Sequence, residues 1–156
     1  MNAALCEAFC EELEALPVGA GLIVNTPFEG ANGERLGFTI VRDAEDPTLF
    51  RLKDDGTTIS LLEADGIDFG TDARQAVLTE LLAEYRVSYD TDLTTFVSAS
   101  VTEEQVHAAA LRFAAMLLRL QDFALLSPER VQNTFREDVT RQDQGTDRQP
   151  RDGVGE

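Results

Sequence analysis

Residues 50–70 read FRLKDDGTTISLLEADGIDFG, and the periodicity changes once within them. Phe50, Arg51, Leu52 and Lys53 alternate apolar and charged side chains, the two-residue period of a half-buried strand. A short helix is expected over 59–65, stopped by Gly66 in a left-handed conformation. Between them stand Asp54, Asp55 and Gly56. Aspartate ahead of a helix is favoured by the exposed amides and the positive end of the dipole. Glycine after it lets the chain turn with positive φ. Thr57 or Thr58 is the candidate cap, and Ser60 with Glu63 has capping-box spacing one turn later.

Upstream, residues 3–16 place Cys6, Phe9, Cys10, Leu13 and Leu16 on one helical face and Glu7, Glu11, Glu12 and Glu14 on the other. An amphipathic helix ended by Pro17 is predicted. AGLIVNTPF (20–28) is a β-rich run closed by Pro27, and EGANGER (29–35) is a turn-forming linker. LGFTIVRD (36–43) and TLFRLK (48–53) read as strands joined by the AEDP turn. These three strands make an antiparallel meander, with helices left to cover one face.

Downstream, a helix starts at Thr71 or Asp72 and runs to about Arg86, with Val77, Leu78, Leu81, Leu82 and Tyr85 on its apolar face. RVSYDT and LTTFVSAS then form a hairpin turning near residues 90–92. Thr102 with Gln105 makes a capping box for a last helix. Its apolar residues recur at 106, 110, 113, 117, 120 and 124, and Leu111, Ala114, Leu118 and Leu125 widen the stripe. So wide a stripe suits a core helix better than a coiled-coil seam, which leaves the chain a monomer or a weak homodimer through 102–126. From Pro128 onward large apolar residues are few. The expected organisation is one α+β domain over 1–127 and a disordered polar tail over 128–156. In it, a small antiparallel meander and a hairpin pack against an N-terminal, a middle and a long C-terminal helix.

The 156 residues hold 29 acidic and 13 basic side chains, a net charge of −16. Residues 1–100 alone hold 19 acids and 6 bases, net −13. Phosphate backbones are bound by Lys and Arg that release counterions, so direct nucleic-acid binding is not expected. A basic protein surface, such as the groove of a nucleic-acid-binding protein, is attracted instead. The first residues lack the basic start and apolar core of a signal peptide, and no apolar run approaches about 20 residues. A soluble, cytoplasmic protein without membrane contact is expected. Cys6 and Cys10 read as reduced core thiols. Zinc would need two further ligands, and His107 is the only histidine.

Taken in order, TPFEG (26–30), LKDDGTTISLLEADGID (52–68), RQAVLTELLAEYRV (74–87) and HAAALRFAAMLLRLQDFALLS (107–127) resemble the prokaryotic family called domain of unknown function 1828, found in bacterial and phage genomes. The resemblance covers most of the first 127 residues and implies the same order of helices, strands and hairpin. It implies no established activity. Members often carry lysines before the histidine of the last helix, where this chain has Glu104, Gln105 and Val106, and Glu29 and Glu34 stand roughly where aspartates are usual.

No nucleophile elbow, phosphate loop or dinucleotide fingerprint is present. An EF-hand centred on Gly56 is excluded, because Arg51, Lys53 and Leu62 would fall on ligand positions. His107, in the first turns of an apolar helix, reads as a packed or surface residue rather than a general base. Two readings of the acidic residues remain. In the first, Asp43, Glu45, Asp46, Asp54 and Asp55 face a basic partner, and the chain is a non-enzymatic interaction module without cofactor. Such a module would inhibit a nucleic-acid-handling protein by mimicking nucleic acid, and the family resemblance implies a phage or mobile-element context. In the second, Asp54 or Asp55 with Glu29 or Glu34 holds Mg²⁺ in a hydrolase or nuclease site.

Overall fold

The structure, a computed structural model, describes Glu7 and residues 11–19, 21–30 and 32–123. Six strands, β1 (Glu14–Val18), β2 (Gly21–Glu29), β3 (Arg35–Arg42), β4 (Phe50–Lys53), β5 (Val87–Asp90) and β6 (Thr95–Ser98), form one antiparallel sheet. Their order is β1-β2-β3-β4-β6-β5. The meander and the hairpin are therefore parts of one sheet, joined where Lys53 pairs with Val97. Helices α1 (Thr58–Ala64), α2 (Asp72–Tyr85) and α3 (Val106–Gln121) complete an α+β fold.

One contiguous core lies between sheet and helices. Val24, Phe38, Ile40, Leu52 and Phe96 from the strands meet Ile59 and Leu62 of α1, Leu81 and Leu82 of α2, and Phe113, Met116, Leu117 and Leu120 of α3. Alternation explains the strand set: in β3, Phe38 and Ile40 are buried while Arg35 and Arg42 at its ends are exposed. Phe38 and Phe113 meet edge to face at 5.4 Å.

Several expectations are corrected. Glu7, Glu11 and Glu12 are helical, but residues 14–16 belong to edge strand β1 rather than to the first helix. Pro17 does not stop a helix: it pairs with Leu22 within the edge strand, where a missing N–H can be tolerated. The strand after it does not close at Pro27. It continues to Glu29 through a register shift between Asn25 and Glu29, a bulge that accommodates the proline. Buried Thr26 holds that bulge, donating to Leu36 O at 2.7 Å and accepting from Phe28 N at 3.3 Å. Ser60 lies inside α1 and caps nothing. Val77 is 54% exposed, so the apolar face of α2 narrows to Leu81 and Leu82, with Leu78 and Tyr85 half-buried.

Gly66 stops α1 at φ +86°, as expected. Gln105 accepts from Thr102 N at 3.2 Å, the side-chain return of a capping box, and the chain enters α3 through a single 3₁₀ turn. Cys6, Cys10 and the tail over 128–156 lie outside the described residues.

Candidate functional site

The residues singled out in the sequence sit at the two ends of β4. Four residues of strand separate the ends by about 13 Å. Asp43, Glu45 and Asp46 belong to the turn that joins β3 to β4, and Asp54 and Asp55 follow the strand. They do not make one patch.

Asp43 is buried. Its Oδ1 accepts from the amides of Glu45 at 2.8 Å and Asp46 at 3.2 Å, which shapes the turn. Its Oδ2 accepts from Ser100 Oγ and from Arg51 Nε, and Arg51 Nε also reaches Ser100 Oγ at 3.0 Å. The Ser100 hydroxyl, then the Arg51 guanidinium, holds the carboxyl well below the usual aspartate range. Asp43 thus ties the β3–β4 turn to the loop before α3, and its charge is spent inside. Glu45 and Asp46 are exposed. Asp46 Oδ1 accepts from Thr48 N at 2.9 Å and Thr48 Oγ1 at 2.6 Å, and the Thr48 hydroxyl lowers its carboxyl.

Asp54 is equally buried, at 5% exposure, but differently served. Its Oδ1 accepts from Phe96 N at 2.7 Å while its own amide donates to Phe96 O at 3.2 Å. The side chain thereby continues the β4–β6 ladder past its last backbone pair. Oδ2 has no hydrogen-bond partner of standard geometry. Burial pushes this carboxyl up and the Asp55 charge adds to the rise, opposed by the Thr58 hydroxyl and by the Phe96 and Gly56 amides.

Asp55 is exposed, and its Oδ1 accepts from Thr57 N at 3.0 Å and Thr57 Oγ1 at 2.7 Å. Gly56, at φ +80°, lies against the β5–β6 turn, where a Cβ would meet Leu93 O at 3.3 Å. The Asp-Asp-Gly sequence therefore builds a turn, and it also leaves one carboxylate facing outward.

Asp55, Glu34 of the β2–β3 turn and Asp65 at the end of α1 line one cleft with Asn32, Arg35 and Gln121, over a floor that includes Leu36, Leu62 and Leu117. Arg35 is drawn off by Glu12 at 3.3 Å, and Glu34 accepts from Asn32 Nδ2 at 3.2 Å. Glu29 is exposed at the end of β2 but does not line the cleft. Among the described residues, no group of three or more His, Cys, Asp or Glu is placed to hold a metal ion. No helix among them is long and apolar enough to cross a membrane. Asp65 was missed in the sequence because only the folded turn of α1 brings it beside Asp55.

A second feature escaped sequence reading. An apolar groove of about 610 Å³ lies between α3 and strands β2 and β3, with Val24, Phe28, Phe38, Ala110, Leu111 and Leu118 on its walls. Strand alternation and the α3 stripe mark these faces as inward, but the gap between them has no local signal. His107, exposed at the start of α3, stands at the edge of this groove.

The fold class is a helix-covered antiparallel sheet, with a cleft lined by three acidic residues at one end of β4. The family model "Domain of unknown function DUF1828" matches residues 26–120, and the chain belongs to that family. No curated protein and no solved structure matches it.

Proposed function

We propose that this chain is a non-enzymatic acidic interaction module of phage or mobile-element origin, which modulates or inhibits a nucleic-acid-handling protein by occupying its basic surface. The supporting observation is that exposed Asp55, Glu34 and Asp65 line one cleft, while buried Asp54 pairs with no cation among the described residues. Like charges gathered at one end of a chain of net charge −16 raise the local potential and steer a basic partner to that end. Asp43, whose charge is absorbed by Arg51, contributes stability rather than contact. Capture from a host lysate tests the reading. A partner rich in Lys and Arg should be retained at low salt and shed steeply as salt rises. Capture that ignores salt, or no capture, counts against it.

A divalent-metal hydrolase is the competing reading, favoured by Glu34 and Asp55 lining one cleft. Calorimetry with Mg²⁺ on the wild type and on Asp55→Asn separates the two. Micromolar binding lost in the variant supports the hydrolase.

A further inference from the structure

The distribution of guanidinium groups carries an inference that the acidic reading does not use. Most described arginines are satisfied within the chain. Arg35, Arg51 and Arg119 pair with Glu12, Asp43 and Glu84. Arg42 donates to Pro47 O at 2.8 Å and lies over the Phe50 ring, and Arg74 donates to Asp68 O. The side chains of Arg86 and Arg112 make no hydrogen bond or ion pair among the described residues. Both line one pocket, which has no Asp or Glu among its lining residues. In a chain with 29 acids and 13 bases, two exposed arginines without a carboxylate partner line one pocket that no Asp or Glu lines.

The backbone adds a second observation. Arg86 follows α2 at φ +56° and ψ +45°, the left-handed stop position at which glycine is favoured. An arginine there carries strain that glycine would relieve. The rest of the pocket offers one further side-chain donor. Gln105 gives its side-chain carbonyl to Thr102 N, which leaves its NH₂ group as a third donor beside the two guanidiniums. The Ser98 hydroxyl is fixed between Leu52 N and Ala99 O, and Ser100 is fixed by Asp43 and Arg51. Asp43, which accepts from the Ser100 hydroxyl, is already paired with Arg51.

We propose that Arg86, Arg112 and Gln105 form an oxyanion site that takes a phosphate group, either free or as a small monoester. Planar guanidiniums suit tetrahedral oxyanions through paired N–H donors. A pocket of about 110 Å³ has room for one such group. Buried Phe113 also lines it.

Amide-resolved NMR titration of the full chain, in chloride buffer of constant ionic strength, tests the site. Inorganic phosphate and phosphoserine are the two phosphate probes and acetate is the carboxylate control. Saturable shifts at residues 86, 98–101 and 112 are expected with one or both phosphate probes. Tightest binding by phosphoserine assigns the site to esterified phosphate, and tightest binding by inorganic phosphate assigns it to the free ion. Arg86→Gln and Arg112→Gln should each weaken binding about tenfold. Arg86→Gly should weaken it equally while its thermal midpoint stays at or above that of the wild type, which separates a lost ligand from a lost fold. No saturation by about 10 mM phosphate overturns the proposal. So does binding unchanged in both Gln variants, or acetate binding as tightly as phosphate.

Discussion

Asp43 and Asp54 flank the same four-residue strand, both are buried, and their charges are treated in opposite ways. At the first end a serine hydroxyl and a guanidinium close on the carboxylate and hold it ionised. At the second, one oxygen continues a strand ladder, the other has no hydrogen-bond partner of standard geometry, and burial raises the carboxyl. Burial alone therefore does not set the state of an acid; its partners do. The functional consequence is an asymmetry. Charge at the Asp43 end is absorbed by Arg51, with two unmatched arginines nearby, whereas charge at the Asp54 end is reinforced by Asp55, Glu34 and Asp65.

The largest effect on stability is expected from Asp43→Ala, which strands Arg51 and leaves the Glu45 and Asp46 amides without an acceptor. Chemical denaturation should show a bigger loss for it than for any other variant named here, and an unchanged midpoint would end the contrast between the two aspartates. Because the folded carboxyl is depressed, Asp43 stabilises the chain above the ordinary aspartate range. That contribution is lost as pH falls through the lower folded value.

Gly56→Ala comes next. Positive φ costs a side chain about 1–2 kcal/mol, and the close Leu93 carbonyl leaves little room for relaxation. A loss below that range would mean that the Asp54 end is looser than described.

Asp54→Asn is subtler and reads through pH. The folded carboxyl is raised, so the folded state binds the extra proton between the ordinary aspartate value and the raised one. Within that window wild-type stability should rise as pH falls, relative to the variant. Denaturation curves of both proteins between about pH 4 and pH 7 should therefore diverge toward neutral pH. Parallel curves would contradict the raised carboxyl. The smallest effect is expected from Arg86→Gly, a gain of about 0.5–1 kcal/mol from relieved left-handed strain, seen as a raised midpoint.

Much of this architecture could be read from residue patterns. The Asp-Asp-Gly turn, the Gly66 stop, the hairpin and the Thr102 return all rest on interactions between residues close in sequence, where spacing and turn chemistry dominate. The N-terminal strand was misread because residues 14–18 take their conformation from pairing with β2, and that pairing overrides the helical spacing before Pro17. The union of meander and hairpin depends on contacts distant in sequence, Lys53 with Val97, Asp54 with Phe96 and Phe50 with Val101. At the cleft, Glu34 and Asp55 were singled out but Asp65 was not, and the burial of Asp43 and Asp54 was hidden because a carboxylate's partners lie elsewhere in the chain. Arg51 with Asp43 spans eight residues, and Ser100 with Asp43 spans fifty-seven.

The claim that matters most is that the outward carboxylates at the Asp55 end receive the basic partner, while those at the Asp43 end do not. Two variant sets compared in one salt-resolved capture assay test it: Glu34→Gln with Asp55→Asn and Asp65→Asn, and Glu45→Gln with Asp46→Asn. The first set should release the partner at clearly lower salt than the wild type, and the second should elute with it. Equal elution of both sets, or earlier release by the second, would contradict the account.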